Sequence, residues 1–154
     1  MKRMEINSPD APKNTRAIKT MSNGYVVKLL PLGELRPHEE HDHDSALQLS
    51  RLMAMDGYVS RPVVVEERTL TLLDGHHRVA ALTILGCKFV PSVLLSYEDP
   101  RVYLDGWRSD VAVDRDMVLA AASRGYLLPK KTTRHQLSPD LDQIKVELAL
   151  LNSD

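Results

Sequence analysis

The stretch Asp74-Gly75-His76-His77-Arg78 combines residue types that can grip phosphate. It lies between a short β-branched and leucine-rich run, Thr69 to Leu73, and an apolar stretch of helical type, Val79 to Leu85. A glycine at the end of a strand lets the backbone turn tightly and approach a ligand closely. A helix starting just behind it presents free backbone N–H groups, which favour an anion. Two imidazoles and a guanidinium add side-chain donors, and the arginine fork matches phosphate geometry. On local pattern alone, the same residues also suit an Asp-Gly turn with surface polar groups. Three tasks suit Asp74: coordinating magnesium, holding a substrate amine, or stabilising the turn.

A second cluster, His38-Glu39-Glu40-His41-Asp42-His43-Asp44, is dense in metal-type ligands. Its spacing departs from the zinc-protease helix, because His38-Glu39 requires a histidine at 42, where Asp42 stands. For most of these residues a solvated loop leading into a helix is the expected reading. A single carboxylate at such a junction is nevertheless well placed to act as a general base. A third cluster, Lys130-Lys131-Thr132-Thr133-Arg134-His135, offers cations for charge and hydroxyls plus loop N–H groups for phosphate oxygens. A solvated charged face is its alternative. Trp107, the one tryptophan, suits either a core position or a ligand platform in an irregular segment. Cys87 reads as a small buried apolar residue.

The elements that must position these groups follow from patterning. Residues 1–20 are polar and aperiodic, which predicts a loose arm. Tyr25 to Leu30 reads as a strand and Pro31 to Pro37 as a turn or short helix bounded by proline. Asp44 or Ser45 caps a helix from Ala46 to Met55, with Leu47, Leu52, Met53 and Met55 on its apolar face and Asp56-Gly57 at its end. Pro62 to Glu66 and Thr69 to Leu73 form a hairpin of short strands. The helix after Arg78 runs to Gly86, and Lys88 to Tyr97 is a strand with Pro91 near its start or at an edge. The chain then becomes irregular around Trp107. Asp114 or Asp116 starts a helix over Met117 to Ser123, ended by Gly125. Pro129 to His135 is a cationic loop. Ile144 to Leu148 alternates like a strand, although Leu141 to Leu151 can equally be drawn as a helix. The mixture predicts a compact α/β or α+β fold with a small mixed sheet flanked by helices.

Composition narrows the function classes. At 154 residues, 43% hydrophobic and 27% charged, the chain is an ordinary globular one with room for one core. A net charge of −1 and a pI near 6.6 argue against a general nucleic-acid binder. One cysteine excludes an internal disulfide and fits a reducing, cytoplasmic setting. No apolar run approaches the roughly 20 residues of a membrane span, and no secretory signal is expected.

Three segments, in order, resemble one known family. They are Leu35-Arg36-Pro37-His38-Glu39; Leu72-Leu73-Asp74-Gly75-His76-His77-Arg78 with Leu85-Gly86 and Val90-Pro91-Ser92-Val93 downstream; and Pro129 to His135 with its Lys-Thr-Thr-Arg-His core. They resemble the ParB/sulfiredoxin-like fold, and within it the free L-serine kinases, which use ADP or ATP to make O-phospho-L-serine. The resemblance spans about residues 25 to 150. It implies a flexible arm over 1–20 and a single kinase domain over 21–154. Glu39 matches the family's catalytic glutamate, which takes the proton from the serine hydroxyl, and Asp74 matches the aspartate opening the nucleotide and substrate motif. Gly75, His76, His77 and Arg78 match the phosphate-binding turn. Lys131, Thr132 and Thr133 fall on the nucleotide side of the C-terminal motif, while Arg134, His135 and Trp107 fall near the bound amino acid. The cofactors implied are ATP or ADP and Mg2+, and the partner is free L-serine or a related hydroxy amino acid. No stable nucleic-acid partner and no membrane are expected; the donor nucleotide and the oligomeric state stay open. Sulfiredoxin chemistry requires a cysteine inside the phosphate motif, where His76 stands. The alternative is a catalytically silent nucleotide-binding module, or a ParB-like DNA-associated regulatory one, which keeps both cationic grips without needing Glu39. The kinase reading further predicts that the 74–78 turn and the 130–135 loop face each other across one pocket, with Glu39 at its edge.

Overall fold

In the computed structural model, which describes residues 15–152, the β-branched runs pair into one five-stranded sheet of order β1-β2-β6-β4-β5. Strand β6 (Phe89–Leu95) lies at its centre, antiparallel to β2 (Val26–Pro31) and parallel to β4 (Val63–Glu66). Every residue of β4 is buried, as a strand covered on both faces requires. Strand β5 (Leu72–Asp74) closes one edge against β4, and β1 (Arg16–Thr20) closes the other against β2. The loose arm expected through residue 20 is therefore corrected for Arg16–Thr20. That edge strand is mostly exposed, so it carries no apolar alternation to read. Residues 1–14 lie outside the described residues. Pro91 stands in a central strand rather than at an edge. It faces Leu29 of β2 just before the parallel pairing with β4 begins at Ser92, so its missing N–H falls outside that ladder.

Helix α1 (His43–Asp56) starts earlier than expected, because Asp42 is the cap: its carboxylate accepts from Ser45 N at 3.2 Å. The helix buries Ala46, Ser50 and Met53, while Leu52 and Met55 are 56% and 82% exposed, which corrects the expected apolar face. Helix α2 (His76–Ile84) also starts early, so His76, His77 and Arg78 form its first turn. Helix α3 (Arg115–Arg124) is capped by Asp114 and ended by left-handed Gly125.

The segment before Trp107 is not irregular. Strand β7 (Val102–Gly106) pairs antiparallel with β8 (Thr133–Leu137), setting Leu104 opposite His135 and Asp105 opposite Arg134. Thr133, Arg134 and His135 are thus strand residues rather than loop residues. The last segment is part strand and part helix: β9 (Val146–Glu147) pairs with β3 (Tyr58–Val59) and runs into α4 (Leu148–Asn152). Leu141, Ile144, Val146 and Leu151 are buried in the main core, so the tail is built into the fold. Among the described residues no helix is long and apolar enough to cross a membrane.

Candidate active site

Three segments meet at one cleft of about 700 Å³: the first turn of α2, the 38–42 loop, and the start of β8 with the loop before it. Both cationic segments line it, together with Glu39 and the largely exposed Trp107.

The floor is the β5–α2 turn. Gly75 caps α2 with φ of 112°, and no side chain caps the helix. A Cβ at this position would run into Val63 Cγ1 and lie 2.9 Å from Arg78 Nη2, so backbone conformation and space both demand glycine. The uncapped N–H groups of the first turn are therefore available to an anion. Arg78 reaches Asp74 through Nη2 at 3.3 Å, while its Nε is buried without a partner. Among the described residues nothing accepts from that N–H. Asp74 is thereby seen steadying Arg78.

The histidines of this turn are braced from behind. His38 N donates to His76 Nε2 at 3.2 Å, and Asp42 N donates to His77 Nε2 at 3.1 Å. Each ring accepts at Nε2, so each neutral ring carries its proton at Nδ1. Burial, then His38 and His135, push the His76 pKa down to about 2; burial, then His41, also lowers that of His77. His76 and His77 therefore offer N–H groups but no positive charge at neutral pH. The positive charge at the cleft comes from Arg78, Lys130 and Lys131.

The wall is organised around Glu39. Its side chain is 13% exposed and takes three hydrogen bonds: from Lys131 N at 3.0 Å, Thr133 N at 2.9 Å and Thr133 Oγ1 at 2.8 Å. Lys131 reaches this geometry with φ of 60°, in the left-handed region. Glu40 N donates to Leu128 O and Leu128 N to His38 O, both at 2.8 Å, which fastens the 38–40 segment to the chain entering β8. Thr132 is not on the cleft wall; its hydroxyl donates to Pro129 O and braces the loop. At the outer end Arg134 forms a bidentate pair with Asp105 at 2.9 and 2.7 Å and stacks 4.9 Å over Trp107, itself 55% exposed. His135 is buried, its Nε2 at 2.5 Å from the Tyr97 hydroxyl, and burial, then His38, push its pKa down to about 3.

His38 was expected in a solvated loop and is fully buried. Its Nδ1 lies 2.7 Å from Leu72 O and its Nε2 2.9 Å from Thr133 Oγ1. The available signal was its place between Pro37 and Glu39, where one residue must turn inward for the next to face the cleft. Among the described residues no group of three or more His, Cys, Asp or Glu side chains converges on a metal position. The arrangement can bind a polyanion at α2 and hold a carboxylate opposite it.

Comparison with known proteins identifies relatives in sequence and in fold. The chain is 34% identical over 83 residues to an ATP-dependent L-serine kinase of Staphylothermus marinus, covering 51% of this chain and 33% of that one. It is 32% identical over 92 residues to the ADP-dependent L-serine kinase SerK of Thermococcus kodakarensis, covering 56% and 37%. A ParB-like protein of Sulfolobus acidocaldarius is 29% identical over 94 residues, covering 61% and 46%. The chain thus spans between a third and a half of the length of the curated relatives it matches. Among solved structures, a free serine kinase in complex with AMP superposes with a TM-score of 0.74 at 18% identity, over 92% of this chain and 98% of that one. A conserved hypothetical protein from Pyrococcus furiosus superposes with a TM-score of 0.75 at 18% identity, over 88% and 99%. No protein-family model matches the chain. The fold is the ParB/sulfiredoxin-like one that the motifs implied.

Proposed function

We propose that this chain transfers a phosphoryl group from ADP or ATP to the hydroxyl of a free amino acid, L-serine foremost, giving O-phospho-L-serine. One observation carries the reading. The uncapped first turn of α2 and the Arg78 side chain line the same cleft as the Glu39 carboxylate. Phosphoryl transfer asks a protein for positioning and charge stabilisation rather than covalent chemistry. In this reading the α2 N–H groups and Arg78 hold the donor's phosphates, and Lys130 and Lys131 add positive charge from the facing loop. Glu39 orients the attacking hydroxyl and takes its proton as oxygen bonds to phosphorus. Trp107 and Arg134, at the rim, adjoin the amino-acid end. Magnesium would enter on the nucleotide's phosphates, with Asp74 the carboxylate of the β5–α2 turn that lines the cleft, and no step is routed through it. The single free cysteine, buried, suits a reducing cytoplasmic setting. The named activities of the L-serine kinases with 30–34% identity support the substrate class.

The test is direct. The protein is incubated with magnesium, ADP or ATP, and a panel of free amino acids including serine, threonine and homoserine, and products are read by phosphorus NMR. A phosphorylated amino acid is expected. Nucleotide binding without any transfer would favour a silent sensor, and tight sequence-selective duplex binding at physiological salt would favour a DNA-associated module.

A further inference from the structure

Glu39 accepts hydrogen bonds from Lys131 N, Thr133 N and Thr133 Oγ1, and once it takes a proton in the proposed reaction one of these donors loses its acceptor. The surroundings of Thr133 supply another. Leu72 O is a carbonyl and only accepts, so His38 donates to it from Nδ1. In the neutral ring, Nε2 is then bare and also only accepts. Thr133 Oγ1 lies 2.9 Å from that nitrogen and 2.8 Å from Glu39 Oε1. One hydroxyl hydrogen thus stands between two acceptors, all buried or nearly so.

We propose that Glu39, Thr133 and His38 form one acid–base unit in which the Thr133 hydroxyl hydrogen turns from Glu39 to His38 as Glu39 takes a proton. This rests on the phosphoryl-transfer reading above. In the transfer step the substrate O–H bond breaks, its proton forms an O–H bond on Glu39, and the substrate oxygen bonds to phosphorus. No proton reaches His38; it only accepts the hydrogen bond that neutral Glu39 no longer needs. The donor withdrawn from Glu39 therefore finds a second partner, so protonating the carboxylate leaves no buried hydroxyl unpaired. His38 and Thr133 are positioning residues in this scheme. Burial keeps His38 neutral by lowering its pKa, which leaves Nε2 open to accept. The titratable groups facing the unit are His76 from α2, with ring centroids 4.7 Å from His38, His135 from β8 at 5.5 Å, and His77, whose ring is coupled to Glu39.

Two measurements test the unit. The first is nitrogen NMR of histidine-labelled protein, which needs no turnover. As pH crosses the Glu39 titration, the His38 Nε2 resonance should shift as it gains a hydrogen-bond donor, while the ring stays unprotonated. In Thr133→Val that shift should vanish, and in Thr133→Ser it should return. A ring already protonated at Nε2 when Glu39 is ionised, or a resonance blind to Glu39, would overturn the proposal. The second is the acid limb of the kcat–pH profile. His38→Phe should move it down by about half to one pH unit, the size of one neutral hydrogen bond. The same change in the Thr133→Val background should move it by nothing measurable, because His38 acts only through that hydroxyl. Equal shifts in both backgrounds would overturn the proposal. Should His38→Phe fail to fold, the NMR comparison of Thr133→Val with Thr133→Ser decides alone. A wild type that phosphorylates no amino acid would remove the functional reading but leave the NMR result to judge the hydrogen switch.

Discussion

The cleft has two unlike sides. The floor, from Asp74 to Arg78, is set by backbone: a left-handed glycine that admits no side chain, an uncapped helix start, and a guanidinium packed beneath it. The rim, from Asp105 to Trp107 and across to Arg134, is set by exposed side chains that hold one another through an ion pair and a stacked ring. A backbone site is rigid and serves any ligand with the same charge and shape, as phosphates share. A side-chain rim changes easily between sequences, which suits the part of the cleft that would distinguish one amino acid from another. Between them stands Glu39, bonded to β8 on one side and reached from the floor on the other.

Breaking that middle element should have the largest effect. Glu39→Gln should lower turnover by about 10²–10⁴-fold while leaving the nucleotide Kd nearly unchanged, since a general base acts mainly in the transition state. Steady-state kinetics with calorimetric binding would check this; a near-normal rate would remove Glu39 from the chemistry. Next comes Gly75→Ala, where the added methyl meets Val63 and a positive φ. A stability loss of about 2–4 kcal/mol is expected in denaturant unfolding, together with loss of nucleotide binding. An alanine variant of wild-type stability would show that the floor is less rigid than described.

Acid should act on both sides of the cleft. His76 and His135 have folded pKa values depressed to about 2 and about 3, so the unfolded chain binds protons below pH 6.5 that the folded chain refuses. Stability is therefore present above pH 6.5 and falls as pH drops from there toward 3, by about 1.4 kcal/mol per pH unit for each histidine. Replacing His76 with Gln should flatten that slope. Arg78→Ala should weaken nucleotide binding roughly 10- to 100-fold, the worth of a charge-assisted bond to phosphate. The smallest effect belongs to the rim: Asp105→Asn should leave the melting temperature unchanged, because both partners of that pair face solvent. Its consequence should show instead in the KM for the amino acid; a change in the nucleotide Kd alone would blur the contrast between the two sides.

The floor was legible because strand, glycine, donors and helix follow one another in the chain, and each obeys local rules of turn and cap. Strands β2, β4, β5 and β6 and the Gly57 and Gly125 helix ends could be read for the same reason. The rim could not. β7 and β8 are five residues each and lie far apart in the chain, and the buried positions of β8 are the polar Thr133 and His135, so no apolar alternation announces them. The burial of His38 is imposed by distant partners, Leu72 and Thr133, and beyond the adjacent Pro37 the residues that follow it are charged or polar. Thr133 was read as a phosphate donor for the same reason: nothing beside it reveals that its hydroxyl is shared between a glutamate and a histidine.

Lys131 carries one more implication. It sits in a cationic run, and charge is the obvious reason for its presence, yet its φ of 60° is what lets its N–H reach Glu39. Evolution at this position is therefore constrained by shape before charge. Glycine or asparagine should be admitted there even though neither is basic, because both enter the left-handed region readily. Valine or isoleucine should be excluded however the rest of the loop is composed. Sequence drift in this loop would then shed the positive charge at 131 long before it sheds the bend.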